Sequence, residues 1–280
     1  MEPTPLPAWY GCKFDPLSNL GPQPLVTVVV VTHPGDIHLL PRALASLVGQ
    51  LPQCQLEVLV MHDGPFTERS EEVLGAIGGQ YNYHLEVIAT PDHSGYYTVA
   101  RNRSMEFARG LYIAHMDADN EFGPGHLSGL LKALRIPDPE GGWPHFAYTR
   151  RLYVLDADCA TDVPLGPSPF VEWTSDNCKS ILAGPKFNFI DTADMMIPRS
   201  VLFMLAEKTG YVWNSNSRRF GDHDLVYRML GCGFRAKAID QVTNVYHWTG
   251  KNLQLTRGLS EVMVLPSEIY DKLKAEGKLT

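Results

Sequence analysis

Two aspartates separated by one residue carry the clearest chemical signal in this sequence. Asp117 and Asp119 follow an apolar run at residues 111–116. In an extended backbone, side chains two residues apart point the same way, so these carboxylates would repel each other unless a proton or cation lies between them. Mg²⁺ and Mn²⁺ prefer oxygen ligands of this kind. The pair therefore predicts a divalent cation site that could also bind a diphosphate; the alternative is a polar loop after a strand.

The same spacing occurs a second time, at Asp156 and Asp158, so spacing alone is weak evidence. Position separates the two copies. The first pair ends a strand of the predicted sheet, whereas the second enters a proline-rich loop. We therefore assign binding to the first copy and a structural role to the second.

Strands and helices alternate along the first half of the chain. Apolar, partly β-branched runs predict strands at residues 25–31, 56–61, 84–89 and 111–116, and helical spacing predicts helices at 38–48, 68–77, 97–108 and 125–134. This order predicts an α/β fold with a doubly wound, Rossmann-like, mostly parallel sheet flanked by helices. Ligands of such sheets bind beyond the carboxyl ends of the strands, where Thr32, Asp63 and Asp117 would lie.

Asp63 follows the second predicted strand, between His62 and Gly64. An acidic group at that place can accept hydrogen bonds from a nucleotide base or ribose. Asp-Gly is also a common turn pair, and this alternative stays open.

The second half is less regular. We predict strands at 146–155, 189–197, 234–239 and 242–247, a loop at 156–188, and helices at 199–208, 222–230 and 266–276. Six prolines in residues 1–24 predict an extended arm.

Composition limits the class of protein. The 280 residues are 44% hydrophobic and 20% charged, which is typical of a globular chain, and a net charge of −7 argues against a general nucleic-acid binder. Five scattered cysteines without a Cys-x-x-Cys pair predict reduced thiols. The apolar run at 25–31 is too short to cross a bilayer and no signal peptide is visible, so we expect a soluble, cytoplasmic protein without a membrane span.

Five short motifs together suggest a family. They are Val28-Val-Val-Val-Thr32, Val60-Met-His-Asp-Gly64, Gly95-x4-Ala100-Arg-Asn102, Ile113-Ala-His-Met-Asp-Ala-Asp119 and Gly221-Asp-His-Asp-Leu225. In this order and spacing the chain resembles the inverting family 2 glycosyltransferases of the GT-A fold, over roughly residues 25–250. The resemblance implies a GT-A domain at 25–250, with a nucleotide-sugar half at 25–120 and an irregular acceptor half at 121–250. Residues 1–24 would be an arm, and 251–280 a C-terminal lid and helix.

The resemblance also implies roles on the donor side. Asp119 would bind Mn²⁺ or Mg²⁺ directly against the diphosphate of a nucleotide-sugar, most often a UDP-sugar, and Asp117 would lie nearer the ribose or a water of the metal site. Asp63 would face the base and Thr32 would line the same pocket. Arg101 and Asn102 match the family's Ala-Arg-Asn; they would orient the donor or brace the carboxylates, unless they are an ordinary helix-surface and packing pair.

On the acceptor side, Asp222 aligns with the catalytic base of the family, and Asp224 matches a second carboxylate. Gly221 replaces the usual Glu, which removes one acceptor-binding or bracing carboxylate. Asp222 would start a helix, whose positive end keeps a carboxylate ionised; simple helix capping is the alternative. His247 would be a further metal ligand or a polar rim residue. Other residues stay open between substrate contact and solvent or core: Arg218, Arg219, Lys251, Arg257, Trp173, Trp213 and Trp248.

The expected reaction is therefore a metal-dependent, inverting sugar transfer from a nucleotide-sugar to an acceptor hydroxyl, with Asp222 as general base. The acceptor is open among glycans, lipids, proteins and modified nucleic acids, and the oligomeric state is not predicted. A sugar-phosphate nucleotidylyltransferase is one alternative, although Thr32-His-Pro-Gly-Asp36 poorly suits its phosphate loop. A non-catalytic binding module is the other, and Gly221 is the feature that favours it.

Overall fold

The computed structural model describes residues 23–138, 141–156, 165–172, 190–217 and 221–249. Within these ranges the strands are β1 (Val26–Thr32), β2 (Leu56–His62), β3 (His84–Ala89), β4 (Tyr112–Asp117), β5 (Glu121–Phe122), β6 (Phe146–Leu155), β7 (Gly166–Pro167), β8 (Met195–Pro198) and β9 (Ala236–Trp248). The helices are α1 (Leu40–Ala45), α2 (Glu68–Ile77), α3 (Tyr97–Ser104), α4 (His126–Leu134), α5 (Arg199–Thr209) and α6 (Gly221–Gly231). Short 3-10 turns cover Ile37–Leu39, Gln53–Gln55 and Thr192–Asp194.

The described strands form one sheet in the order β3-β2-β1-β4-β8-β6-β9-β5, with β7 paired to β6. Strands β1 to β4 are mutually parallel where they pair, and β6 is parallel to β9. Strand β8 lies antiparallel between β4 and β6, so β4, β6 and β9 run in the same direction. The predicted mostly parallel sheet is confirmed, and the carboxyl ends of β1, β2, β4, β6 and β9 meet at one edge.

Strand β1 explains how the sheet is buried on both faces. Val29 and Val31 belong to one apolar cluster with residues of α3, α5 and α6, whereas Val28 and Val30 belong to another with residues of α1 and α4. Successive strand side chains point to opposite faces, so an unbroken apolar run fits a strand covered by helices on both sides.

Several predicted boundaries in the second half differ from the structure. The two strands expected at 234–239 and 242–247 are one strand, β9, and its pairing with β6 shifts register between Tyr148 and Arg151. Polar residues at this irregularity, such as Asp240, interrupt the apolar pattern without interrupting the strand.

The strand expected at 189–197 is also wrong in its first part. Asp191 accepts a hydrogen bond from the Ala193 N–H and Asp194 accepts one from the Asp191 N–H, which makes a capping box around the Thr192–Asp194 turn. Strand β8 begins only at Met195. Local side-chain hydrogen bonds therefore compete successfully with the sheet at this point.

The remaining differences concern two helix ends and one short strand. Helix α3 ends at Ser104 and α1 at Ala45, earlier than their apolar spacing predicts. The short strand β7 lies in the expected loop. The helix expected at 266–276 and nearly all of the arm at 1–24 lie outside the described residues. Among the described residues, none of the helices has the length and apolar character needed to cross a membrane.

Candidate active site

Asp117 is the last residue of β4, and Asp119 lies in the turn that follows the strand. The Ala118 N–H donates to the Val31 carbonyl at 3.1 Å, and the Asn120 N–H donates to the Asp117 carbonyl at 3.0 Å. The first bond fixes the turn to the end of β1, and the second closes the turn itself. Asp117 accepts a hydrogen bond from Arg101 Nη2 on Oδ1 at 2.6 Å.

Both carboxylates of this turn are held in an electrostatic environment that favours a cation. Burial raises the pKa of Asp117 to about 6, with Arg101 opposing the shift and Asp191, Asp222 and Asp36 adding to it. Burial also raises the pKa of Asp119 well above its usual value, followed by the charges of Asp117, Asp36 and Asp191. A positive ion between these groups would restore the ionised form of each.

Arg101 connects this turn to three other parts of the fold. Its guanidinium is buried, with the carbon Cζ 4.5 Å from the Tyr97 ring centre and 4.9 Å from the Trp213 ring centre. Nη1 donates to Thr192 Oγ1 at 3.1 Å. These contacts leave Arg101 braced against Asp117, which is one of the two roles that the resemblance implied.

Asn102, the next residue on α3, contacts a different segment. Its Nδ2 donates to the Trp213 carbonyl at 2.8 Å and to Ser215 Oγ at 2.9 Å, and the Trp213 N–H donates back to Oδ1 at 3.0 Å. Trp213 itself is fully buried. The amide of Asn102 therefore holds the segment whose indole packs against Arg101.

Asp222 lies in the first turn of α6 and is buried. The Gly221 N–H donates to the Tyr97 hydroxyl at 2.7 Å. A Cβ atom added at Gly221 would lie 2.5 Å from Thr98 Cγ2 and 2.9 Å from the Tyr97 oxygen. The departure from Glu at this position thus has a physical reason, because α3 packs against the backbone where a side chain would begin.

Asp224 is committed to the interior of the fold. It pairs with Arg228 of the same helix at 2.7 Å, and Arg228 also donates to the Val212 and Tyr211 carbonyls. This arrangement ties α6 to the segment that follows α5. The other carboxylate of the motif, Asp222, raises the pKa of Asp117 through its charge.

The ends of β1 and β2 carry Thr32 and Asp63. Thr32 Oγ1 donates to Asp36 Oδ1 at 2.8 Å, which closes the turn after β1. Asp63 accepts hydrogen bonds from the Ser94 N–H, Ser94 Oγ and the Gly95 N–H at 2.9–3.0 Å. Its carboxylate therefore fixes the loop that leads into α3.

His247 lies between two carboxylates near the ends of β9 and β6. Its Nε2 is 2.6 Å from Glu121 Oε1 and its Nδ1 is 2.8 Å from Asp156 Oδ1. Arg42 pairs with both carboxylates and donates to the Asp119 carbonyl. Asp156, from the second Asp-x-Asp pair, thus takes part in this cluster, and Asp158 lies outside the described residues.

A buried ionic network beside the site did not emerge from the sequence. Arg151 Nη2 lies 2.7 Å from Asp194 Oδ2 and Nη1 lies 3.4 Å from Asp191 Oδ2, while Asn244 donates to Asp194. Burial raises the pKa of Asp194 to about 6. The available signals were a cation within the apolar strand β6 and the acidic spacing Asp191-x-x-Asp194, which is typical of a capping box.

Of the three tryptophans singled out in the sequence, Trp213 packs on Arg101, and Trp248 packs with Tyr153 and Tyr246. The remaining candidates lie outside the described residues: Trp173, Arg218, Arg219, Lys251 and Arg257.

The carboxylate oxygens of Asp117 and Asp119 suit a cation that is also coordinated by a bound ligand. Within the described ranges, three or more His, Cys, Asp or Glu side chains do not converge on a point where they could hold a metal ion. Asp117 and Asp119 supply oxygen atoms at the edge of the sheet, where burial raises the pKa of both carboxyl groups and neighbouring carboxylates add to the rise. A divalent ion that also bound phosphate oxygens would fit these two carboxylates.

Comparison with known proteins identifies the family of residues 27–151. Residues 27–151 match the family model described as Glycosyl transferase family 2. TarS from S. aureus, residues 1–349 in complex with UDP-GlcNAc, superposes with a TM-score of 0.60 at 14% identity, covering 84% of this chain and 62% of that one. The TarS complex with UDP gives a TM-score of 0.55 at 14% identity, over 81% and 61% of the two chains.

A mannosyltransferase from Pyrobaculum calidifontis, in complex with GDP-Man and Mn²⁺, superposes with a TM-score of 0.57 at 17% identity and covers 87% of this chain and 63% of that one. The chain spans about three fifths of the length of these solved structures. No curated protein matches the sequence. The expected family resemblance and GT-A fold are confirmed.

Proposed function

We propose that this chain, which carries a glycosyl transferase family 2 domain over residues 27–151, transfers a sugar from a nucleotide-sugar to an acceptor hydroxyl with inversion. The observation that carries the proposal is that one helix, α3, contacts both Asp117 and the start of α6. Arg101 donates a hydrogen bond to Asp117, and Tyr97 accepts one from the N–H of Gly221, the residue before Asp222. A donor-side carboxylate and a base candidate thus share one rigid support.

The donor would bind along the ends of β1, β2 and β4. Asp63 and Thr32 would line the nucleoside end, where Asp63 fixes the loop at Ser94 and Gly95 and Thr32 fixes the turn at Asp36. Asp119, with Asp117 beside it, would hold Mn²⁺ or Mg²⁺, which supplies positive charge for the leaving diphosphate. We propose His247 as a residue that supports this turn through Glu121 and Arg42.

At the acceptor end, Asp222 would accept the proton of the attacking hydroxyl. The acceptor oxygen forms a bond to the anomeric carbon as the bond from that carbon to the nucleotide oxygen breaks, and the electron pair leaves with the diphosphate. Attack from the face opposite the nucleotide inverts the anomeric centre, and a covalent enzyme intermediate is not needed.

The identity of the nucleotide can be tested directly. We propose UDP, and the fold is shared with a protein solved with UDP-GlcNAc and with another solved with GDP-Man. Thermal unfolding with UDP and with GDP, each with Mn²⁺, should raise the melting temperature for the preferred nucleotide only. A chain that responds to neither nucleotide, and releases neither from UDP-GlcNAc, UDP-glucose or GDP-mannose, would not be a nucleotide-sugar transferase of this kind.

Substitution of the base tests the chemistry. Asp222→Asn keeps the size of the side chain but removes its ability to accept a proton, so release of nucleotide from the active donor should fall about 10²–10⁴-fold. Nucleotide affinity, measured by calorimetry, should stay within about twofold because the change lies on the acceptor side. Asp240→Asn, at an exposed carboxylate paired with Arg150, is the matched control. Retention of most activity by Asp222→Asn would remove Asp222 as the base.

A further inference from the structure

We propose that Tyr97 is a positioning residue that fixes the start of α6, and with it Asp222, relative to Asp117. This inference rests on the proposed function, since it assigns to Tyr97 the alignment of the base candidate with the donor-side carboxylate. Three contacts around the Tyr97 side chain support this role.

The first contact satisfies the beginning of α6. The first N–H groups of a helix have no acceptor within the helix and need an external partner. The Gly221 N–H donates to the Tyr97 hydroxyl oxygen at 2.7 Å. Burial, followed by the charge of Asp222, raises the pKa of this phenol, so the group stays neutral while it accepts the bond. Tyr97 therefore caps the helix from another helix, a role usually taken by a local Ser, Thr, Asp or Asn.

The second contact sets the distance between α3 and α6. A Cβ atom at Gly221 would meet Thr98 Cγ2 at 2.5 Å and the Tyr97 oxygen at 2.9 Å, distances that side chains do not adopt without displacement. The glycine thus permits the backbone of α6 to approach α3 closely enough for the hydrogen bond to Tyr97. A side chain at this position would push the helix, and Asp222 with it, away from α3.

The third contact lies on the face of the same ring. The Arg101 guanidinium carbon is 4.5 Å from the Tyr97 ring centre, and Arg101 donates to Asp117 at 2.6 Å. Stacking of a cation on an aromatic ring is favourable, so Tyr97 also helps to orient the guanidinium. The contacts of Tyr97 therefore run from Asp117 through Arg101 to Gly221, which precedes Asp222.

This arrangement affects chemistry more than binding. A displacement of about 1 Å at a reacting group can lower the rate about 10²-fold even when the substrate still binds. Removal of the Tyr97 hydroxyl leaves the ring on Arg101 but leaves the Gly221 N–H without its acceptor. The donor-side contacts stay intact, so the loss should appear in turnover and in the order of the first turn of α6.

The experiment compares Tyr97→Phe with the wild-type chain. With UDP-GlcNAc, UDP-glucose or GDP-mannose, whichever the wild type hydrolyses, kcat should fall about 10–100-fold while the Kd for the matching nucleotide with Mn²⁺ stays within about twofold. Hydrogen exchange should speed up in peptides covering 221–231 and stay unchanged in 199–209. Tyr83→Phe removes another buried hydroxyl, which donates to the Leu44 carbonyl at 2.8 Å away from the site, and should change neither quantity.

The outcomes separate this inference from the proposed function. If the wild type hydrolyses none of the three donors, the proposed function fails, and the exchange data still test the contact between Tyr97 and α6. If the wild type is active and Tyr97→Phe keeps its kcat and its exchange rates, the positioning role is overturned. A parallel loss of kcat and nucleotide affinity would also overturn it, because that pattern indicates general damage to the fold.

A pair of substitutions tests the close approach independently. Gly221→Ala should lower kcat about tenfold or more, although alanine favours helices over glycine. Thr98→Ser removes the methyl group that the new Cβ would meet and keeps the hydroxyl, which donates to the Ser217 carbonyl at 3.3 Å. Combined with Gly221→Ala, it should restore several-fold of the lost kcat. Full activity of Gly221→Ala alone would show that α6 can move without consequence and would overturn the inference.

Discussion

At the scale of single residues, the two aspartates of the β4 turn face different neighbours. Asp117 accepts a hydrogen bond from Arg101, and that cation opposes the rise in its pKa. The charges that act most strongly on Asp119 are those of other carboxylates, Asp117, Asp36 and Asp191. A bound cation would therefore relieve Asp119 more than Asp117, which agrees with Asp119 as the direct ligand in our proposal.

This difference makes a prediction about metal-linked binding. Asp119→Asn should weaken UDP or GDP binding in Mn²⁺ about tenfold or more, because one charged ligand of the cation is lost. In EDTA the wild type and the variant should bind the nucleotide equally weakly. Calorimetry with and without Mn²⁺ measures both, and Asp240→Asn serves as the exposed control. Equal affinity of wild type and Asp119→Asn in Mn²⁺ would exclude Asp119 as a metal ligand.

At the scale of elements, the sequence predicts the bounds of a helix or strand correctly where local signals, such as a helix cap, agree with the apolar pattern of the segment. Helix α2 has the predicted bounds, with Thr67 accepting from the Ser70 N–H at its start, and strands β3 and β6 also have theirs. The sequence predicts two strands where β9 is one, because polar residues lie in the middle of β9, next to the register shift in its pairing with β6. The apolar residues around the turn before β8 predict a strand, whereas the capping box of the turn holds its backbone out of the sheet.

The same limits apply to the candidate site. Thr32, Asp63 and Asp117 lie at the carboxyl ends of β1, β2 and β4, where the strand pattern places them, because the carboxyl ends of parallel strands meet at one edge. The contacts between Tyr97 and Gly221, and between Arg151 and Asp194, join residues far apart in sequence and have no periodic pattern. Only the folded chain brings such pairs together, so their chemistry could not be assigned in advance.

Helix α3 supports a prediction about stability. Asn102 makes three hydrogen bonds to the segment at Trp213 and Ser215, and the buried indole rests on Arg101. Asn102→Ala should lower the free energy of unfolding by about 1–3 kcal/mol, since the part-buried N–H and carbonyl of Trp213 lose their partner. Asn102→Asp keeps the acceptor for the Trp213 N–H but places a carboxylate oxygen against the Trp213 carbonyl, so it should not restore the lost stability.

Urea unfolding of the variants gives the comparison. Glu106→Ala, at an exposed residue just after α3, should stay within about 0.5 kcal/mol of the wild type. If Asn102→Ala is as stable as this control, the segment at Trp213 is held by its apolar packing and not by the amide.

At the scale of the whole molecule, several buried titratable groups act on stability in opposite directions. Burial lowers the pKa of His126 to about 3 and that of His223 to about 4, and it lowers the pKa of His115 well below its usual value. Burial raises the pKa of Asp117 and Asp194 to about 6. On acidification the histidines favour unfolding, because the unfolded chain binds protons that the folded chain excludes, whereas the two carboxyl groups favour folding.

His126 allows one of these contributions to be isolated. It lies at the start of α4 with Nδ1 2.8 Å from Thr243 Oγ1, and its ring packs on Phe122. Because folding lowers its pKa from 6.5 to about 3, its neutral form supports the fold above pH 6.5, and this support is lost as the pH falls through that window. Between pH 7.5 and 5 the loss from one such group is about 2 kcal/mol.

His126→Gln keeps a polar side chain but cannot titrate in this range. Its unfolding free energy should therefore fall by about 2 kcal/mol less than that of the wild type when the pH is lowered from 7.5 to 5, whatever its stability at the starting pH. Urea unfolding at several pH values measures the two slopes, and His84→Gln, at an exposed histidine on β3, should leave the wild-type slope nearly unchanged. Parallel curves for His126→Gln and the wild type would mean that His126 accepts a proton in the folded chain, and that α4 adjusts to accommodate the charge.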